Sequence, residues 1–222
     1  MNELCVLTEK NKKNETKALY EEVFPEDKGP FLDWYYEDRC RDNIIIGMKS
    51  HDEIISMAHL NPFTVCNRNG QKAEIFYIYA VATKKDERNK GCMTSVLNKC
   101  FEIMSAKAVP FCFLIPVKES LYTPFGFSAV SKFRTERISD FTEVTSNYDI
   151  YLNEDEDYLR RALKERELCD SPEESLPDDP VIMVKIISPH AFSRFSGLPA
   201  DTTEAEMINW LRNQRIYISE SV

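Results

Sequence analysis

The 222-residue sequence predicts an α/β fold with a compact α+β C-terminal extension. Three stretches carry that expectation. "EIFYIYAVAT", residues 74–83, is aromatic and β-branched enough for a central strand. Helical periodicity takes over from about Asn89, with Met93, Val96, Leu97, Cys100 and Met104 on one face at steps of three and four. "VPFCFLIPV" then reads as a further strand bracketed by prolines.

The other elements follow in order. "ETKALYEEVFPED" has helical spacing through Ala18, Leu19, Val23 and Phe24, and Pro25, Asp27 and Gly29 end it. Pro30 opens a second short helix. "NIIIGMK" and "EIISMAHL" form a hairpin around Ser50 to Asp52, and Asn69-Gly70 marks a later turn. "KESLYTPFGF" is a short helix or turn that leads into a strand over Phe127 to Phe133. A helix is expected near 155–167, then a strand at "VIMVKII". Ser188 and Pro189 start a short helix that Gly197 stops, and "TTEAEMINWLRN" has a Thr cap with an acidic first turn. "RIYIS" is a terminal strand. The expected organisation is a core over 1–135, an acidic connecting segment over 136–180, and a small α+β portion over 181–222 that could pack against the core.

The net charge of −9 argues against a general nucleic-acid binder, because phosphate backbones need basic surfaces. The acidity is concentrated: residues 136–180 carry a balance of −10, which leaves the rest near +1. A cationic substrate therefore does not follow from the global charge. Seven cysteines, none in a CxxC pair, and three scattered histidines suggest buried thiols in a reducing compartment with no metal site. The first residues lack the apolar core of a secretory signal, and no apolar run is long enough to span a bilayer. The cytoplasm is the expected location.

Chemistry is concentrated in "YAVATKKDERNKGCMTSV", residues 79–96, where a strand feeds a helix through a cationic, glycine-containing loop. A helix N-terminus offers unpaired N–H groups and the positive end of its dipole, which suits phosphate oxygens. Gly91 would permit close approach, and Arg88 or Lys90 would add charge-assisted hydrogen bonds. An ordinary solvated helix start would read the same way. Neither GxGxxG nor a P-loop is present.

Arg88-Asn89-Lys90-Gly91-Cys92-Met93 resembles the Gln/Arg-x-x-Gly-x-Gly/Ala loop of the GCN5-related N-acetyltransferases, the GNAT superfamily. "YAVAT" resembles the strand end before that loop, with Val81 at the usual position, and "LYTPFGF" resembles its Tyr-x-x-x-Gly-Phe element through Tyr122, Gly126 and Phe127. Two departures stand out: Met93 replaces the usual small residue, and Thr83 and Lys84 replace the usual acidic-proline step. The segments around 18–39 and 182–195 further resemble Eis-like members.

The resemblance implies an acyl-CoA N-acyltransferase (GNAT) fold, a mixed central sheet flanked by helices. It also implies transfer of an acetyl group from acetyl-CoA, as co-substrate, to a primary amine in a ternary complex, with no metal. It assigns acetyl-CoA binding to Val81, Ala82, Thr83, Arg88, Asn89, Lys90, Gly91, Cys92 and Met93, and polarisation of the thioester carbonyl to the N–H near Val81. Tyr122 would protonate the departing thiolate. Deprotonation of the amine is left to Glu74, to the carboxylate of Val222, or to water. A small-molecule amine is the first expected acceptor; a protein or peptide amine and a non-catalytic acyl-CoA-binding module are alternatives. Relatives commonly assemble, so a homodimer is an expectation as well.

Overall fold

The computed structural model describes residues 2–27, 29–134, 141–168 and 178–218. Strand β1 (Glu3–Leu7) precedes three short helices, α1 (Lys10–Lys13), α2 (Lys17–Val23) and α3 (Pro30–Trp34). α3 continues as a π-helical turn, Tyr35–Arg39. β2 (Ile44–Ser50), β3 (Glu53–Asn67) and β4 (Lys72–Thr83) lead to α4 (Cys92–Ala106), β5 (Phe111–Leu114) and β6 (Ser128–Lys132). α5 (Phe141–Asn147), β7 (Ile150–Leu152) and α6 (Glu156–Leu168) follow. β8 (Val181–Ile186), α7 (Pro189–Ser196), α8 (Glu204–Arg212) and β9 (Ile216–Tyr217) end the described chain.

The sequence-predicted faces hold in α4, which buries Val96, Leu97, Cys100 and Met104. In α2 the face is displaced. Ala18 is exposed while Tyr20 is fully buried beside Leu19, because a tyrosine ring with a partner for its hydroxyl packs as well as an aliphatic side chain. β1, α1, α5 and β7 have no counterpart among the sequence expectations.

The chain forms two compact units, and β3 and β4 run through both. The first comprises Met1–Pro62, Tyr77–Ile103 and Glu156–Asp170. Here β1, β2 and β3 are antiparallel neighbours, with Val6 opposite Ile46 and Ile45 opposite His59. The β2–β3 hairpin turns through His51 and Asp52 at φ 50° and 66°, the left-handed pair that matches strand twist. α6 is tied to the π-helical turn by Arg160, whose guanidinium donates to Asp38 at 2.6 and 3.1 Å.

The second unit comprises Phe63–Phe76, Met104–Asp155 and Ser171–Val222. Its sheet is built around β8, which pairs antiparallel with β5 on one side and β6 on the other. The C-terminal segment thus contributes a strand inside the sheet. β7 pairs antiparallel with the end of β3 and parallel with β9, which makes the sheet mixed. Asp149 anchors that corner: it accepts from the Arg215 backbone N–H at 2.9 Å and pairs with Arg68 at 2.8 Å. α7 is capped by Ser188 and ends at Gly197, φ 79°, and α8 opens on a capping box of Thr203 and Glu206. Phe111, Phe113, Phe127, Phe192 and Phe195 fill its core.

Candidate active site

The first unit holds the predicted phosphate seat. β4 is distorted at Ala80, a buried alanine at φ 48°, one residue before Val81. A left-handed residue interrupts regular strand geometry, so the N–H and C=O directions change at that point. Beyond the distortion the strand end is fixed: the Ser56 hydroxyl donates to the Ala82 carbonyl at 2.9 Å, and the Lys84 N–H donates to the Ile55 carbonyl at 2.9 Å.

The loop then closes on itself. Asn89 and Gly91 are both left-handed, at φ 62° and 82°. A Cβ at Gly91 would meet nothing within 4 Å, so in this conformation its φ, and not crowding, is what calls for glycine. The Gly91 carbonyl accepts from the Ser95 N–H at 3.0 Å and is the N-cap of α4. The first-turn N–H groups of α4 consequently point past the helix start with no intrahelical acceptor.

Arg88, Asn89, Lys90 and Gly91 are exposed. Arg88 donates through Nε to the Thr83 carbonyl at 3.2 Å, and Lys90 pairs with Glu87 at 3.3 Å. Both cations therefore brace the loop, and the solvated Lys90 pair is weak enough to exchange partners. Val81, Thr83 and Met93 are half-buried, and Ala82 and Cys92 are buried. The Cys92 side chain belongs to the packed face of α4, so only its backbone N–H is available to a ligand.

The second unit holds Tyr122 and Glu74. Tyr122 sits in a double turn: its carbonyl accepts from the Phe125 N–H at 2.9 Å, and Gly126 follows at φ 85°. Its ring packs edge-on against Phe127 with centroids 6.0 Å apart. Burial pushes the hydroxyl up to about 12, so it is protonated at neutral pH. Glu74 is exposed near the start of β4, and lines an open groove of about 360 Å³ with Lys72, Lys107 and Arg194. Glu74 stands seven positions before Val81 in β4. Val222 lies outside the described residues.

Sequence reasoning did not bring Tyr20 and Asp27 to Tyr79. The Tyr79 and Tyr20 hydroxyls are 2.6 Å apart, and Tyr20 donates to Asp27 Oδ2 at 2.9 Å. The signal was faint, since these residues lie in different elements and each alone reads as packing or as a helix stop. Nearby, the Tyr35 hydroxyl bonds His59 Nδ1 at 2.7 Å. Burial, and secondarily the charge of Lys13, holds His59 down at about 3, so it is neutral. Among the described residues no cluster of His, Cys, Asp or Glu could hold a metal ion, and no helix is long and apolar enough to cross a membrane.

Residues 7–130, more than half of the chain, match the family model of the acetyltransferase (GNAT) domain. The chain belongs to the GNAT acetyltransferase family. The mixed sheet flanked by helices is the GNAT fold.

Solved structures repeat the likeness at the level of fold. A conserved protein of unknown function from Enterococcus faecalis V583 aligns at TM-score 0.56 and 16% identity, over 60% of this chain and 33% of that one. Eis1 from Mycobacterium abscessus aligns at TM-score 0.56 and 9% identity, over 78% and 49%. A GCN5-related N-acetyltransferase from Kribbella flavida aligns at TM-score 0.53 and 11% identity, over 87% and 74%. The chain thus covers about a third of the first of these proteins and about half of the second. No curated protein matches the sequence.

Proposed function

We propose that this GNAT protein transfers the acetyl group of acetyl-CoA to a primary amine of a small molecule, by direct attack in a ternary complex. The observation that carries the reading is the turn from Thr83 to Met93. There an exposed loop with two left-handed residues delivers the N-terminus of α4, within the span that matches the family. In this reading the N–H groups of residues 89–93 take the diphosphate oxygens, and Arg88 and Lys90 add charge as they release Thr83 and Glu87. Val81, Ala82 and Thr83 line the thioester end, where the N–H near Val81 stabilises the oxyanion that forms on the carbonyl.

As the amine nitrogen bonds to the carbonyl carbon, the carbon–sulfur bond breaks and the thiolate takes a proton from Tyr122. A phenol held at about 12 keeps that proton until a strong acceptor forms beside it. Glu74 and the carboxylate of Val222 are carried as candidates for drawing the proton from the amine. Within the family we read the chain as Eis-like, on the resemblance of residues 18–39 and 182–195. Residues 1–135 form the acetyltransferase domain, 136–180 an acidic connecting segment, and 181–222 a small α+β C-terminal portion. The protein acts in the cytoplasm, as a homodimer.

The test is Tyr122→Phe in untagged protein, assayed by release of free coenzyme A thiol over a panel of amines. The variant is expected to bind acetyl-CoA as wild type does and to lose about a hundredfold or more in kcat. Unchanged kcat would remove Tyr122 from the chemistry.

A further inference from the structure

An alkylamine resembles the lysine side chain, with a reference pKa of about 10.4, and is protonated at pH 7. It must lose that proton before its nitrogen can attack. The first unit contains a continuous hydrogen-bonded path from β4 to a carboxylate that the reaction described above does not use.

Tyr79 stands two residues before Val81 and is half-buried. Its hydroxyl meets that of the fully buried Tyr20 at 2.6 Å, and Tyr20 bonds Asp27 Oδ2 at 2.9 Å. The proton directions follow from chemistry. A carboxylate only accepts, so the single Tyr20 proton points at Asp27, and the Tyr20 oxygen receives the proton of Tyr79. That leaves the lone pairs of Tyr79 as the accepting end of the chain. The rings are held from the sides: Tyr35 lies 5.9 Å from Tyr79 and 5.4 Å from Tyr20 between centroids, and Tyr77 lies 5.7 Å from Tyr79.

We infer that Tyr79, Tyr20 and Asp27 form a proton relay that draws the proton from the acceptor amine, with Asp27 as its terminal acceptor. The inference rests on the acetyl-transfer reading. One proton passes from the ammonium nitrogen to the Tyr79 oxygen, the Tyr79 proton passes to the Tyr20 oxygen, and the Tyr20 proton passes to Asp27. The nitrogen keeps its electron pair for attack, both phenols end neutral, and Asp27 becomes a carboxylic acid. Asp27 is only half-buried and returns its proton to solvent.

The electrostatics agree with that direction. Burial raises the Asp27 carboxyl above the ordinary carboxylate range, and hydrogen bonding by Tyr20 and, less, by Tyr79 works against it. Glu26 raises it further from the same loop, and Glu165 on α6 disfavours charge on Tyr79. Both phenols are held well above their usual value, chiefly by burial, so neither rests as a phenolate. A relay through neutral hydroxyls to a carboxylate of raised basicity is the arrangement those shifts favour.

The experiment compares two amines: butylamine, protonated at pH 7, and hydroxylamine, already neutral there. Untagged full-length wild type, Asp27→Asn, Tyr79→Phe and Asp27→Glu are assayed by thiol release, with acetyl-CoA affinity measured by calorimetry. Asp27→Asn and Tyr79→Phe are expected to lose about a hundredfold in kcat with butylamine and less than about threefold with hydroxylamine, at unchanged acetyl-CoA affinity. Asp27→Glu is expected to restore much of the butylamine rate. Equal loss on both amines, or no loss on either, overturns the relay. Wild type that binds acetyl-CoA and acetylates neither amine also overturns it. Wild type that binds no acetyl-CoA removes the enzyme reading itself. Tyr79→Phe keeps the test decisive if Asp27→Asn does not fold.

Discussion

The interiors of the two units are built differently. Among the described residues of the second unit the buried polar side chains are all engaged. Asn67 accepts from the Asn69 and Gln71 N–H groups and donates to the Phe195 carbonyl. Ser193 donates to the Pro199 carbonyl, and Ser196 accepts from the Leu198 N–H. In the first unit, Trp34 Nε1, His59 Nε2, both amide atoms of Asn61 and Arg161 Nε are buried without a partner among the described residues. Each such group costs about 1–3 kcal/mol. A fold bears that cost where polar groups serve a reaction and avoids it where only packing is at stake. The same unit carries the α4 N-terminus proposed to seat the diphosphate and the proposed tyrosine–aspartate relay, whereas Tyr122 belongs to the second.

The comparison is broken most directly at Asn67. Asn67→Leu strips two backbone N–H groups and one carbonyl of their partner, so urea unfolding is expected to show a loss of roughly 3 kcal/mol or more. A loss under about 1 kcal/mol would mean that the second unit does not depend on its polar contacts.

His59 gives the next largest effect, and its sign is fixed by linkage. Folded His59 sits at about 3 and the unfolded side chain at about 6.5, so between those values only the unfolded chain binds the proton. Its contribution is fully present above pH 6.5 and is lost as pH falls. Between pH 7 and 5 wild type is expected to lose about 2 kcal/mol more than His59→Gln. Parallel pH profiles would show that His59 is protonated in the folded protein.

The smallest effect sharpens the contrast. Asn61→Leu removes a buried amide that bonds nothing, so stability is expected to stay within about 1 kcal/mol of wild type or to rise. A cost matching that of Asn67→Leu would mean both amides are satisfied alike.

What the sequence made legible was local. The strand-to-helix turn at 83–93, the 43–60 hairpin, the buried face of α4 and the Thr203 cap depend on residues within a few positions of one another, and the fold class followed from them. The insertion of β8 between β5 and β6 was not legible, because antiparallel pairing partners as distant in sequence as Phe111 and Ile186, or Lys132 and Val181, leave no periodic trace. β7 is too short for alternation to register, whereas β9 falls within the expected terminal strand at 215–219. The Tyr20–Asp27–Tyr79 path escaped for a similar reason. Helical phase pointed to Ala18, whereas the buried position is Tyr20, and Asp27 read as part of a helix stop. Only the tertiary structure brings that carboxylate to β4.

The most direct test of the central claim is calorimetric titration of the untagged protein with acetyl-CoA, with coenzyme A and NADP in parallel. Micromolar binding that prefers acetyl-CoA is the predicted result, and it would identify the turn from Arg88 to Met93 as a seat for the diphosphate. Folded protein that binds none of the three would contradict the claim and leave that turn as an ordinary start to α4.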